Sequence, residues 1–186
     1  MGAGREVSLM LSYLTTQLES VLNSPVISRV RRNHGLEHAT LHVLAQRFPG
    51  VPIAGHSTAS GFRLLGELST EAVQSAVEEA LRRMQAGEAK LAIHPNCGTN
   101  FVTAGIFSGL AGAAAMFRVG SRPRDKLERL PVAIVMATLA LFVAYPLGLK
   151  LQEKVTTSGA PGTLQVEKII KTRRGALTVH QILTQG

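Results

Sequence analysis

The chain has 186 residues, enough for one modest core plus membrane segments but not for several large domains. Its formal net charge of +8 does not argue for nucleic acid, because the excess forms no basic stripe interleaved with aromatics. Residues 1–100 set nine Lys/Arg against eight Glu, whereas residues 101–186 set eleven against four acids, with Arg118, Arg122, Arg124, Lys126, Arg129, Lys150 and Lys154 flanking apolar runs.

Taken in chain order, Val7, Met10, Leu11, Leu14, Leu18, Val21 and Leu22 recur at three- and four-residue steps and predict an amphipathic helix that Asn23-Ser24-Pro25 ends. A second helix is expected from about Pro25 to Arg47, with Pro25 in its first turn and Pro49-Gly50-Val51-Pro52 as its stop. Between Val51 and Leu68 the alternation predicts a short β-hairpin turning near Thr58–Gly61. Ser69 reads as the N-cap of a third helix whose buried stripe is Val73, Ala76, Val77, Ala80, Leu81 and Met84, with Gly87 at its C-terminus. Lys90–His94 reads as a short strand running into Pro95-Asn96-Cys97-Gly98.

Two uncharged segments follow, 101–117 and 130–149. The second supplies twenty residues, enough to cross a bilayer core. The first carries Gly105, Gly109 and Gly112, small residues at a spacing that lets membrane helices approach closely, so homo-oligomerisation through them is one expectation. With a short basic connection at 118–129, the pair is expected to form a transmembrane hairpin with both tails on one side. A flexible stretch, Thr156–Gly162, leads to a second β-hairpin with strands over Leu164–Ile170 and Ala176–Leu183 and a turn at Thr172–Gly175. A two-stranded hairpin is marginal alone, so it should pack on the N-terminal domain or on a partner.

The expected fold is therefore an α+β membrane protein. It divides into a membrane-proximal helical/β-hairpin domain (1–100), a two-helix membrane hairpin (101–149), and a linker with a C-terminal β-hairpin (150–186). Arg5 begins no convincing signal peptide, since Glu19 interrupts the apolar stretch. The expected location is the bacterial inner (plasma) membrane with cytoplasmic tails, in contact with membrane lipids. Cys97 is the only cysteine, so an intrachain disulfide is excluded.

The chemistry concentrates in Arg31-Arg32-Asn33-His34-Gly35-Leu36-Glu37-His38-Ala39-Thr40. His34 and His38, four apart on a helix, share a face and can reach one ion. A catalytic zinc takes three protein ligands and a water, whose pKa it lowers to ~7. Glu37 is the natural general base. His94 is the expected third ligand and Cys97 a further one, with Glu78 and Glu79 as substitutes. Asn96 or Asn100 would donate to a developing oxyanion. His42 lies one more helical turn along and would be an outer partner or a surface residue; His56 could face the site; His180 is remote in sequence. Arg31 and Arg32 read as solvated or lipid-facing, or as holding a substrate carboxylate.

The His34-x-x-Glu37-His38 spacing resembles the inverzincin metallopeptidase signature, H-E-x-x-H reversed. That resemblance implies a zinc peptidase. The chain departs from the pitrilysin-like members, whose third ligand is a glutamate on a later helix; the corresponding stretch here has no carboxylate. The longer string from Arg32 to Thr40, together with His94-Pro95-Asn96-Cys97-Gly98-Thr99-Asn100 before an apolar pair, resembles a family of small bacterial membrane proteins of unknown function. That similarity covers most of residues 30–150. The function expected is zinc-dependent hydrolysis of a peptide bond in a membrane-associated substrate near the bilayer interface. The alternatives are a non-catalytic membrane scaffold with a structural metal or none, and an iron-dependent membrane oxygenase, for which six histidines are few.

Overall fold

Ser24-Pro25 separates the first two helices because Pro25 lacks an N–H and suits only a first turn. In the computed structural model, which describes residues 2–175 and 177–186, α1 spans Gly2–Leu22 and α2 spans Pro25–Arg47. β1 (Ala54–Thr58) and β2 (Gly61–Leu65) form the expected hairpin, paired from Ala54↔Leu65 to Thr58↔Gly61. α3 spans Thr70–Gln85 and starts where Ser69 Oγ accepts from the Ala72 N–H at 3.1 Å. It ends in a Schellman-like turn, with the Glu88 N–H on the Arg83 carbonyl at 3.1 Å and Gly87 at φ 99°.

The expected strand at Lys90–His94 does not form. Ala89–Ala92 is a 3-10 turn, and the Ala92 carbonyl goes to the His38 ring rather than to a neighbouring strand. The next helix, α4, starts earlier than the uncharged run implies, at Gly98, and ends at Ala115. α5 spans Pro123–Leu151. The charged residues before 130 are its opening turns, because Pro123 supplies the first-turn proline and Arg124 pairs with Glu128 one turn on. A π-helical turn, Gln152–Thr156, extends α5.

β3 (Gln165–Arg174) and β4 (Leu177–Gln185) are longer than the expected strands, since the ladder continues to Arg174↔Leu177 and moves the turn to Gly175, at φ 63°. The C-terminal hairpin joins the N-terminal one in a single antiparallel sheet of order β1-β2-β4-β3.

The chain divides into two units, residues 1–92 with 157–186, and residues 93–156. In the first, α2 and α3 lie on one face of the sheet. Leu36, Val43 and Leu44 of α2, Val73 and Val77 of α3, Phe62, Leu64 and Ile182 of the sheet, and Leu164 fill the core at 1% exposure or less. Close approach of α2 to the returning chain requires Gly35, because a Cβ there would collide with the Ser158 carbonyl. In the second unit α4 and α5 pack antiparallel: Arg129 Nε donates to the Ala115 carbonyl at 2.9 Å at one end, and Gly148 lies against Asn100 at the other. Among the described residues one helix, Pro123–Thr156, is long and apolar enough to cross a membrane, with a mean hydropathy of 2.2 over its most apolar stretch. α4 does not meet that standard.

Candidate metal centre

α2 carries the three residues of the H-x-x-E-H spacing and sends them in different directions. His38 is buried, and its Nδ1 lies 2.7 Å from the Ala92 carbonyl oxygen. A carbonyl only accepts, so Nδ1 carries the proton and Nε2 keeps the lone pair in the neutral ring. This is the arrangement by which backbone carbonyls orient metal-binding histidines. The His34 ring stands edge-on to it, with centroids 4.4 Å apart and planes at 63°.

Glu37 points to the hairpin. It is 4% exposed, and its Oε2 accepts from the Ser57 hydroxyl. Its other oxygen lies over Gly55, where a Cβ would stand 2.6 Å from Glu37 Cδ. Burial pushes the Glu37 carboxyl above its usual range; the Ser57 hydrogen bond, His34 and His56 oppose that shift without cancelling it. A carboxylate held in this way is a stronger base near neutrality than an exposed one.

His34 and His38 each offer one ligand atom, and these two atoms lie within 4.8 Å of one another. In the second unit, Cys97 is buried at the N-cap of α4, an end that favours negative charge. His94 belongs to the same unit. Its Nδ1 accepts from the Asn96 N–H at 3.2 Å, which puts the neutral ring's proton on Nε2 and leaves no lone pair for an ion. Glu78 and Glu79 are on the α3 surface, where Glu78 accepts from Gln74 at 2.9 Å and Glu79 pairs with Arg47 and Arg83.

The remaining candidates separate clearly. Asn96 is exposed, so its side chain is open to a ligand. Asn100 is buried with its amide donating to the Pro95 carbonyl at 2.7 Å and the His94 carbonyl at 3.4 Å, which leaves no hydrogen for an oxyanion. His42 is half-buried on α2 outside the His34–His38 pair. His56 is on β1, and its charge opposes the upward shift of Glu37. His180 is buried in β4, near the Thr70 hydroxyl at 3.4 Å. Arg32 is half-buried and donates to the carbonyls of Pro161 (3.5 Å) and Gly186 (3.1 Å).

Two roles escaped the sequence. Asn33, fully buried, donates to the Thr58 carbonyl at 2.9 Å and accepts from the Thr184 hydroxyl at 2.7 Å, tying α2 to both hairpins. Ser57 and Gly55 shape the Glu37 pocket, and their only signal was alternation within a predicted strand.

The comparisons with known proteins assign no activity. Residues 29–169 match a family described as a domain of unknown function, DUF6391. An uncharacterised protein of Picosynechococcus sp. is 37% identical over 166 residues, which are 84% of this chain and 78% of that protein. No solved structure matches the chain. The matched span takes in most of α2 with its histidines, the Cys97 loop and both α4 and α5, and on that coverage the chain belongs to the DUF6391 family.

Proposed function

We propose that the chain is a membrane-associated zinc hydrolase in which His34 and His38 hold the ion and Glu37 is the general base. The observation that carries this reading is the approach of the two imidazole ligand atoms to within 4.8 Å of one another on one face of α2, with the His38 lone pair selected by the Ala92 carbonyl. A catalytic zinc takes three protein ligands and leaves a fourth position open, so one further side chain would complete the set. Zinc bound there would supply Lewis-acid polarisation of a carbonyl and activation of water near neutral pH. Glu37, too basic for an ordinary carboxylate and next in sequence to His38, would take the proton.

The substrate proposed is a peptide bond close to a membrane. Support comes from α5 and from apolar side chains that α4 and α5 leave uncovered, among them Phe101 (67% exposed) and Phe142 (75% exposed). In water such a surface would be an association liability; in lipid it is solvated. On this reading α4 and α5 form the proposed membrane hairpin of an inner-membrane protein with cytoplasmic tails. The test is metal analysis of detergent-purified protein. About one zinc per chain, lost in His34→Ala/His38→Ala, supports the reading, and a folded wild-type protein without metal defeats it.

One observation favours a second reading, a scaffold that self-associates. A Cβ at Gly105, Gly109 or Gly112 would meet nothing within 4 Å, so these glycines are not needed for packing of α4 on α5 and leave a smooth face for another helix. A Glu37→Gln protein that keeps metal and every measurable activity would favour the scaffold.

A further inference from the structure

α1 carries an apolar stripe that the fold does not use. Val7, Met10, Leu14, Leu18 and Val21 fall within an arc of about 80°, at roughly 100° per residue, and are 48–58% exposed. Among the described residues, none of α1 belongs to the core of its unit. The opposite side carries Ser8, Ser12, Thr16, Glu19 and Ser20, with Leu9 among them. Its hydroxyls turn back onto the helix: Ser12 Oγ donates to the Leu9 carbonyl at 2.8 Å, and Thr16 Oγ1 to the Ser12 carbonyl at 2.9 Å. Over residues 2–22 the charged residues are Arg5, Glu6 and Glu19, one base against two acids.

Such a stripe can be covered by a second copy of the helix or by a bilayer interface. A coiled coil wants the apolar repeat sustained over about three to four heptads, with charges beside the seam to fix the pairing. Val7, Leu14 and Val21 span two heptads, and Ser8, Thr15 and Gln17 beside them carry no charge. A bilayer interface asks only for an apolar side and a polar side. Glu6, Glu19 and the hydroxyl side keep α1 from crossing the hydrocarbon, so the helix fits the interface plane. With one base against two acids it gains nothing from anionic headgroups, and apolar insertion must hold it. The helix Pro123–Thr156, long and apolar enough to cross a membrane, brings the chain to a bilayer on the reading above.

We infer that α1 is an interfacial helix that lies along a lipid bilayer with its apolar stripe between the acyl chains, and that it responds to lipid packing rather than lipid charge; this rests on the membrane association proposed above. The stripe then sits about 5–10 Å into the boundary between headgroups and acyl chains. Loosely packed lipid opens gaps that admit Leu14 and Leu18, whereas tightly packed saturated lipid closes them. The polar side has no cluster of cations that could replace those gaps as the source of binding. The zinc site plays no part in this.

The experiment places an environment-sensitive fluorophore on single cysteines of the full chain, in a Cys97→Ser background, reconstituted in dioleoyl phosphatidylcholine vesicles. None of the labelled positions is in the core, so each variant is expected to fold. Labels at Leu14→Cys and Leu18→Cys should shift to the blue and be quenched by nitroxide lipids that carry the radical just below the headgroup. Labels at Ser12→Cys and Thr16→Cys should escape that quenching. Replacing part of the lipid with anionic phosphatidylglycerol should leave the quenching at 14 and 18 unchanged, and replacing it with saturated lipid should reduce it. Equal quenching at all four positions, or none, in an incorporated chain overturns the interfacial helix. Blue-shifted but unquenched labels at 14 and 18, with disulfide cross-linking of unlabelled Leu14→Cys between copies, give the stripe to a second copy and overturn it too. Quenching that needs anionic lipid overturns packing as the cause. A chain that leaves the vesicles on alkaline extraction overturns the membrane reading and the interfacial helix with it.

Discussion

The Glu37 carboxylate occupies the space where a side chain at position 55 would stand, so that Gly55 and Glu37 define each other's place. The Ser57 hydroxyl closes the other side of the same carboxylate. Gly55→Ala should therefore displace the base and strain β1, destabilising the protein by about 1–3 kcal/mol, the usual range for overpacking a filled site. Chemical denaturation checks the stability. Parallel metal analysis should still find the ion, since the atoms nearest a Cβ at position 55 all belong to Glu37.

Glu37→Gln keeps the shape of the carboxyl group and removes its basicity. On the proposed mechanism hydrolysis should fall by about 10²–10⁴, the contribution typical of a positioned general base, with metal content unchanged. Activity retained at the wild-type level would remove Glu37 from the chemistry.

The same carboxyl has a pH signature in stability. Its folded pKa is raised by burial, so the folded state binds the proton more tightly than the unfolded chain. Stability from this group is present at low pH and is lost as pH rises from the ordinary carboxylate range through the raised value. Glu37→Gln should flatten that part of the stability–pH curve. On the proposed mechanism wild-type activity rises over the same interval, because the base must be ionised.

His180 runs in the opposite sense. Burial, helped by Lys171 and opposed by Glu67 and Glu71, lowers its pKa, so the unfolded chain binds the proton more tightly. Stability should fall as pH drops through the unfolded value of ~6.5 and continue to fall until the folded value is passed. His180→Gln should remove that loss, as read by thermal melts at pH 5 and 8.

Asn33 joins α2 to the β1–β2 turn and to Thr184 of β4. Asn33→Leu strands the Thr58 carbonyl and the Thr184 hydroxyl in the interior, and unfolding should become easier by about 1–3 kcal/mol for each buried group left unpaired. An unchanged denaturation midpoint would show that water replaces the amide.

Much of this protein is legible residue by residue. Pro25, Ser69 and Gly87 mark helix ends through their own φ preferences and capping atoms, and the apolar period assigns α3, the hairpins and the long helix α5. Each of those signals acts within a few positions, where one sequence carries all the atoms involved. The H-x-x-E-H spacing likewise puts two imidazoles on one helical face. The tertiary structure decided what lies beyond that reach. Lys90–His94 alternates like a strand, but the Ala92 carbonyl is taken by His38, 54 residues earlier, and the segment coils instead. His94 spends its lone pair on the Asn96 N–H, two residues on. The partners of Glu37 and Asn33 are 20 to 151 residues away along the chain. No local period encodes such pairings, because they follow from how α2 packs against the sheet, and only that packing decides what surrounds the carboxylate and the buried imidazole.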